Sequence, residues 1–401
     1  MQEDVKTADK DEYNGIRVCH IIATLTMGGA EQMLVRLLLA NPESADKRMV
    51  LVLRDADDVW SKQLQTTGVT VQVLGMHSIW DIARIFYQLR KLIDSFHPDI
   101  VQTWMHHADF LGGLAAYFSG CKNIVWGIHG AFISLKSSKN TLFIMMMCAL
   151  MSRWIPRKII CVAEAGKQVH AAVGYDASRM VVIPNGFDFS NLTATDEQRI
   201  TLRRNCNFSD DELVIGCLGR FHPDKGQQNF VKAAAIVAES NVKVRFLMVG
   251  EGCDENNPIL INWINAYKLQ DSFVLLGKRE DVPACLATMD IFCMPSRTEA
   301  FPLCLGEAMA MSLPCVATDV GDTAVLAGGT AILVPAQDEY ALARGLLEVI
   351  ALPKEQRNEM GERSKERVIA EFSIEKACKR FAAIYQEIVS GDGGIVVSND
   401  V

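Results

Sequence analysis

The chain has 401 residues, enough for two domains of ordinary size and too many for one simple core. Hydrophobic residues make up 49% and charged residues 22%, the balance of a folded globular protein, which excludes a mainly disordered one. A net charge of -8 speaks against nucleic acid as a partner, because phosphate backbones demand a basic footprint.

The 12 Cys are scattered, with no Cys-x-x-Cys pair to suggest a zinc ribbon or a dithiol redox site. Cys161, Cys217 and Cys293 stand in apolar runs as small hydrophobes, a usage that suits a reducing cytosol. Residues 1–14 are polar and lack the apolar core of a secretory leader. The longest apolar run, 141–151, falls well short of the roughly 20 residues that cross a bilayer. The expectation is a cytoplasmic protein, soluble or peripherally attached.

In chain order, 16–25 reads as a buried strand, followed by Met27-Gly28-Gly29 and a helical stretch 30–40 that stops at Asn41-Pro42. Further strands are expected at 49–54, 69–74, 99–104, 123–130 and 158–163, with helical periodicity between them, notably over 80–96. A second series begins after 181–188 and a polar stretch: strands at 213–220, 244–252, 273–277, 291–296, 314–321 and 331–336. Near-continuous Val/Ile/Leu strands alternating with helices imply parallel sheets covered on both faces. The last helical stretch, 373–389, carries Ile374, Ala377, Phe381, Ile384, Tyr385 and Ile388 on one face. Two doubly wound α/β units joined near residue 190 imply a cleft between them, with ligands beyond the carboxyl ends of the strands.

Three motifs stand at strand ends. Gly28 and Gly29 let the backbone approach a ligand, and the helix that follows presents free N–H groups. This is not a Gly-x-Gly-x-x-Gly fingerprint, so it reads equally as a tight turn or as a phosphate site. Arg220 and Lys225, in the Gly-bounded loop 219–226, are two cations able to clamp a diphosphate, each contact contributing roughly 1.5–3 kcal/mol; the bland alternative is a solvated loop.

Glu299 and Glu307 flank Phe301-Pro302-Leu303. Pro302 keeps a helix from running back through 299–301, so Glu299 is expected on a loop and Glu307 early in a helix. In one helix the two would stand roughly 12 Å apart along the axis and about 80° around it, a poor hydrolytic pair. Two carboxylates gripping different hydroxyls of an extended ligand fit better.

Met-Gly-Gly-Ala-Glu at 27–31, Pro-Asn-Gly-Phe-Asp at 184–188, Gly219-Arg220 with Lys225-Gly226, and Glu299-x7-Glu307 with Phe-Pro-Leu occur in that order. Over about 15–390 the chain thereby resembles the retaining glycosyltransferases of family four, the group 1 transferases. That resemblance implies the GT-B fold: two Rossmann-like doubly wound parallel-sheet domains facing a central cleft. The acceptor-side domain would be 15–189, with the helix 374–390 packing back on it, and the nucleotide-sugar domain 190–373. It also implies roles. Gly28 and Gly29 would face the donor phosphates, while Arg220 and Lys225 would hold the diphosphate as it leaves. Glu299 would bind donor-sugar hydroxyls, helped by backbone N–H groups near Phe301, Pro302 and Leu303 (Pro302 itself has none). Glu307 would hold the ribose, His129 would sit beside the donor sugar, and Lys278 and Arg279 would line the base.

The implied reaction moves a sugar from a nucleotide diphosphate, a UDP-sugar, to a glycan or polyprenyl-linked acceptor with retention, in bacterial surface polysaccharide or lipopolysaccharide assembly. A same-fold epimerase or phosphorylase, or a non-catalytic sugar-nucleotide-binding protein, are the alternatives. No cofactor is expected. The adjacent His106 and His107 rarely point at one ion, so no metal is expected either. The sequence departs from the family at Asp322-Thr323-Ala324-Val325, where a Glu is common, and at Ala163-Glu164 in place of Ser-Glu.

Segment 76–158 carries nine Lys/Arg against four Asp, a positive surplus in an acidic chain. Two readings follow: peripheral contact of the first domain with the inner membrane, or a core helix with solvated flanks.

Overall fold

The computed structural model describes residues 15–26, 28–130, 139–240 and 242–391. The polar opening segment, Met27, Lys136 and the tail beyond 391 lie outside the described residues. The chain forms two compact units, one of Met1–Gly186 with Ile374–Val401 and one of Phe187–Ser373.

The first unit alternates β1 (Val18–Ile22), α1 (Gly29–Leu39), β2 (Arg48–Val52), α2 (Asp58–Thr66), β3 (Thr70–Val73) and α3 (Ile82–Phe96). It continues with β4 (Ile100–Trp104), α4 (His106–Phe118), β5 (Ile124–Ile128), α5 (Lys139–Met151), β6 (Lys158–Cys161), α6 (Glu164–Val173) and β7 (Met180–Val182). The strands form one sheet in the order β3-β2-β1-β4-β5-β6-β7, every pair parallel. Strands β1, β2, β4 and β5 are buried at every position, which is why they read as unbroken apolar runs rather than alternating ones.

In the second unit α7 (Asp196–Asn205), β8 (Leu213–Leu218), α8 (Gln227–Ala238), β9 (Val244–Val249), α9 (Pro258–Ala266), β10 (Phe273–Leu275) and α10 (Val282–Thr288) come first. Then follow β11 (Ile291–Met294), α11 (Leu303–Ala310), β12 (Cys315–Thr318), α12 (Thr323–Ala327), β13 (Ile332–Val334), α13 (Glu339–Ala351) and α14 (Lys354–Phe372). Its parallel sheet has the order β10-β9-β8-β11-β12-β13.

The last helix, α15 (Ile374–Ser390), belongs to the first unit. Its apolar stripe of Ile374, Ala377, Phe381, Ile384, Tyr385 and Ile388 is buried in a core shared with Met33, Leu34 and Leu37 of α1. The Tyr385 hydroxyl donates to Gln102 Oε1 at 3.4 Å, and Lys158 pairs with Glu387 at 2.8 Å. The opposite face of the sheet packs on α3, α4 and α5 through Ile85, Leu89, Leu111, Ala115 and Cys148. All twelve cysteines are free thiols.

Each sheet has one place where strand order reverses: between β1 and β4, and between β8 and β11. Connections there leave in opposite directions, so the strands' carboxyl ends open a crevice.

Candidate active site

At the reversal in the second unit, the loops after β8 and β11 meet. Lys225 Nζ lies 2.7 Å from Glu299 Oε1, and Ser296 Oγ donates to the same oxygen at 2.7 Å. Thr318 Oγ1, on β12, holds the Ser296 carbonyl at 2.6 Å. Glu299 is only 10% exposed and Lys225 28%. Burial opposes the lysine's charge, but the adjacent carboxylate outweighs it, and Lys225 titrates above its usual range.

Two glycines make this approach feasible. Gly226 has φ +68°, and a Cβ there would lie 2.0 Å from the Pro295 carbonyl oxygen. Gly321, at φ +57°, would collide in the same way with the Glu299 carbonyl at 2.1 Å. Glycine adopts this left-handed conformation without strain, and only a residue without a side chain allows contact this close. The loop 219–226 is further tied by Gln227 Nε2 donating to the Arg220 carbonyl at 2.9 Å, and by Arg297 N to the Asp224 carbonyl at 2.7 Å.

The Arg220 side chain stands exposed at the end of β8. Phe301 and Pro302 are buried, Leu303 opens α11, and Glu307 is half-buried within that helix. No side chain caps α11, so its first N–H groups carry the helix's positive end toward this corner. Cys304 lies there too, its thiol pushed up to about 12 by burial, so it adds no negative charge.

Lys278 is exposed after β10, and Arg279 grips Asp281 through two bonds of 2.8 and 2.6 Å. Arg279 and Asp281 line a groove of about 270 Å³ against α7. A separate cavity of about 400 Å³ adjoins the loop 219–226 between Phe221, Trp263 and Lys232; neither Lys225 nor Glu299 lines it.

In the first unit, Gly28 caps α1. The Glu31 carboxylate folds back over it, so that a Cβ on Gly28 would lie 2.3 Å from Glu31 Oε2, and Thr24 Oγ1 holds Glu31 at 3.0 Å. Gly29 follows as the first residue of the helix. His129 follows β5 and stacks on Trp104 at 4.9 Å, which in turn donates to His20 Nδ1 at 3.3 Å. Burial pushes His129 down to about 4, so at neutral pH the ring is uncharged. His106 Nε2 is 3.4 Å from His170 Nε2, and His106 Nδ1 is 3.4 Å from the Tyr175 hydroxyl. Among the described residues no cluster of acidic, His or Cys side chains could hold a metal ion.

The structure therefore places Arg220, Lys225, Glu299, Phe301 and Pro302 on neighbouring loops of one unit and Leu303 and Glu307 on the helix α11 that follows, while Gly28, Gly29 and His129 belong to the other. Ser296, Thr318 and Gln227, which hold the pair in place, carry no sequence signal of their own.

The Glycosyltransferase Family 4 pattern matches residues 27–191, and the pattern described as Glycosyl transferases group 1 matches residues 212–351. The chain belongs to the group 1 glycosyltransferases.

Among curated relatives of this glycosyltransferase is the Escherichia coli UDP-Gal:alpha-D-GlcNAc-diphosphoundecaprenol alpha-1,3-galactosyltransferase. It is 24% identical over 306 residues, 75% of this chain and 78% of the relative. A GDP-mannose-dependent monoacylated phosphatidylinositol monomannoside mannosyltransferase of Corynebacterium glutamicum is 31% identical over 51% of this chain and 55% of its own length. Among solved structures, Anabaena HepE in complex with UDP superposes with a TM-score of 0.80 at 20% identity, covering 92% of this chain and 99% of that one. These likenesses establish the GT-B architecture expected from the motifs. Lys225 and Glu299 thus sit in the second of two parallel-sheet units of a known transferase architecture.

Proposed function

We propose that this glycosyltransferase moves a sugar from a UDP-sugar to a glycan or polyprenyl-linked acceptor, with retention and without a metal ion, in assembly of a bacterial surface polysaccharide or lipopolysaccharide. The observation that carries the reading is the Lys225–Glu299 pair, held 2.7 Å apart where the second sheet reverses order. The names of relatives support the finer parts: the Escherichia coli protein uses UDP-Gal and a diphosphoundecaprenol acceptor, and HepE was solved with UDP.

The bond from the anomeric carbon to the diphosphate oxygen breaks, and its electron pair leaves with the diphosphate. Lys225, Arg220 and the uncapped start of α11 supply positive charge as that oxygen becomes anionic; preorganised donors of this kind lower the barrier without reorganising. Glu299 accepts hydrogen bonds from donor-sugar hydroxyls while steadying the lysine, and Glu307 holds the ribose. With the Arg279 side chain committed to Asp281, the 278–279 segment meets the base through its backbone. The leaving phosphate oxygen takes the acceptor hydroxyl's proton while the acceptor's own oxygen bonds to the anomeric carbon on the same face, which preserves configuration. We assign acceptor recognition to the first unit, and to His129, a neutral ring, a place beside the donor sugar.

Thermal shift with UDP-, GDP- and ADP-sugars tests the donor, since a ligand that binds only the native state raises the melting point. A rise with UDP-sugars supports the reading. A rise with GDP-sugars alone overturns the choice of base.

A further inference from the structure

Helix α5 has an unusual surface. Its inward side chains, Met145, Cys148 and Ala149, are buried against the sheet, yet its outward stripe is also apolar. Phe143, Met146 and Leu150 are each more than half exposed, and Trp154 continues the stripe in the turn after the helix at 64% exposure. A helix apolar on every side belongs inside a protein or against something apolar. At 13 residues it is far shorter than the roughly 20 needed to span a bilayer, and among the described residues no helix is long and apolar enough to cross a membrane.

The stripe is not isolated. Helices α3, α4 and α5 pack side by side on one face of the sheet; Trp80, in the 3-10 turn Ile79–Asp81 just before α3, is 88% exposed, and α3 and α4 add exposed Tyr87, Tyr117 and Phe118. Every exposed Trp, Phe and Met among the described residues lies between Trp80 and Trp154. The same segment holds the positive surplus of the chain, and Lys91, Lys122, Arg153 and Arg157 are exposed on it. Asp81, the acidic residue at the start of α3, is already paired with Arg84.

We infer that the α3–α5 face docks on an anionic phospholipid bilayer, with α5 lying in the plane of the interface. Amphipathic aromatic rings settle at headgroup level, the apolar stripe enters the acyl boundary, and each nearby Lys or Arg adds electrostatic attraction to anionic lipid. A second protein surface would match the apolar stripe but gives no reason for the surrounding cations in a chain of net charge -8. The inference deepens the polyprenyl-acceptor reading by naming the surface on which such an acceptor is met, and rests on that reading for its purpose.

The test is flotation of the full chain with phosphatidylglycerol-rich vesicles and with phosphatidylcholine vesicles, without donor or acceptor. The expected result is flotation with the anionic vesicles, weakened by salt. The triple variant Phe143→Ser, Met146→Ser, Trp154→Ser should lose roughly tenfold or more in partitioning. Its transfer to a soluble short-chain acceptor should stay at the parent rate, which shows that it folds.

No flotation at low salt, or flotation of the triple variant equal to the parent, overturns the inference. So does a dimer in sedimentation that the triple variant abolishes, since the face would then cover a second copy. Flotation with no transfer to any polyprenyl-linked acceptor leaves the docking intact and removes the acceptor reading instead.

Discussion

Lys225 and Glu299 are 74 positions apart in sequence, yet their side-chain atoms lie 2.7 Å apart. The cation that we propose for a departing diphosphate is therefore already paired and aimed, by a carboxylate that Ser296 fixes in turn.

Removing Lys225 should have two separable consequences. In Lys225→Ala, kcat should fall by roughly 10²–10³, the effect of losing one transition-state donor. Glu299 would also be left nearly buried without its partner, so the melting temperature should drop, because an uncompensated buried charge costs stability. Adding Glu299→Gln should restore the melting temperature without restoring turnover. A double variant that regains activity would show that the lysine serves structure alone.

Glu299→Gln by itself should act on chemistry more than on nucleotide affinity. The substitution takes a negative charge away from the place proposed for the diphosphate, so UDP should bind as tightly as before or more tightly. Turnover should fall because sugar hydroxyls and Lys225 both lose an anionic acceptor. Equilibrium dialysis with UDP, set beside steady-state kcat, checks this; a parallel loss of UDP affinity would count against it.

Gly226→Ala tests the junction of the two loops. Alanine at φ +68°, with its Cβ 2.0 Å from the Pro295 carbonyl, must shift the backbone, and a non-glycine residue held there costs roughly 1–3 kcal/mol. Chemical denaturation should register that loss, and turnover should fall with it as Lys225 moves away from Glu299. Wild-type stability would mean that the loops are not packed as described.

Much of this corner was legible in the sequence because its signals are local. Glycine-bounded loops after apolar runs, cations five residues apart and the helix stop at Pro302 all declare themselves within a dozen residues. The partners that hold the pair do not. Ser296, Thr318 and Gln227 become meaningful only once parallel pairing brings three loops together, and nothing in Arg279-Glu280-Asp281 announced that the arginine would spend its guanidinium on its neighbour. Strand ends differ from expectation by one to three residues or so, as at Ile16 and Ile22, because apolar runs continue past the last paired position. The run 141–151 reads equally as core or surface, since a helix apolar on all sides has no periodicity to tell which side faces out.

Acid should weaken the first unit. Burial pushes His129 down to about 4, and it is the main cause for His20 and His106, each at about 3, with Arg48 and His170 adding to the effect. In the unfolded chain these rings take up protons near pH 6.5. Between about pH 6.5 and 4 the unfolded state therefore binds more protons than the native state, and stability falls as pH falls. Above about pH 7 both states are neutral at these rings, and they contribute no slope. Calorimetric melting temperatures across this range should decline on the acid side, less steeply in His129→Asn; an unchanged slope in that variant would contradict the buried neutral ring.

The central claim is that Arg220 and Lys225 hold the donor's diphosphate. Isothermal titration of UDP into the parent, Arg220→Ala and Lys225→Ala chains reads it most directly. The account predicts a loss of roughly tenfold or more in affinity for each variant, since a charge-assisted contact contributes about 1.5–3 kcal/mol. Unchanged UDP affinity in both, with folded protein by circular dichroism, would contradict it.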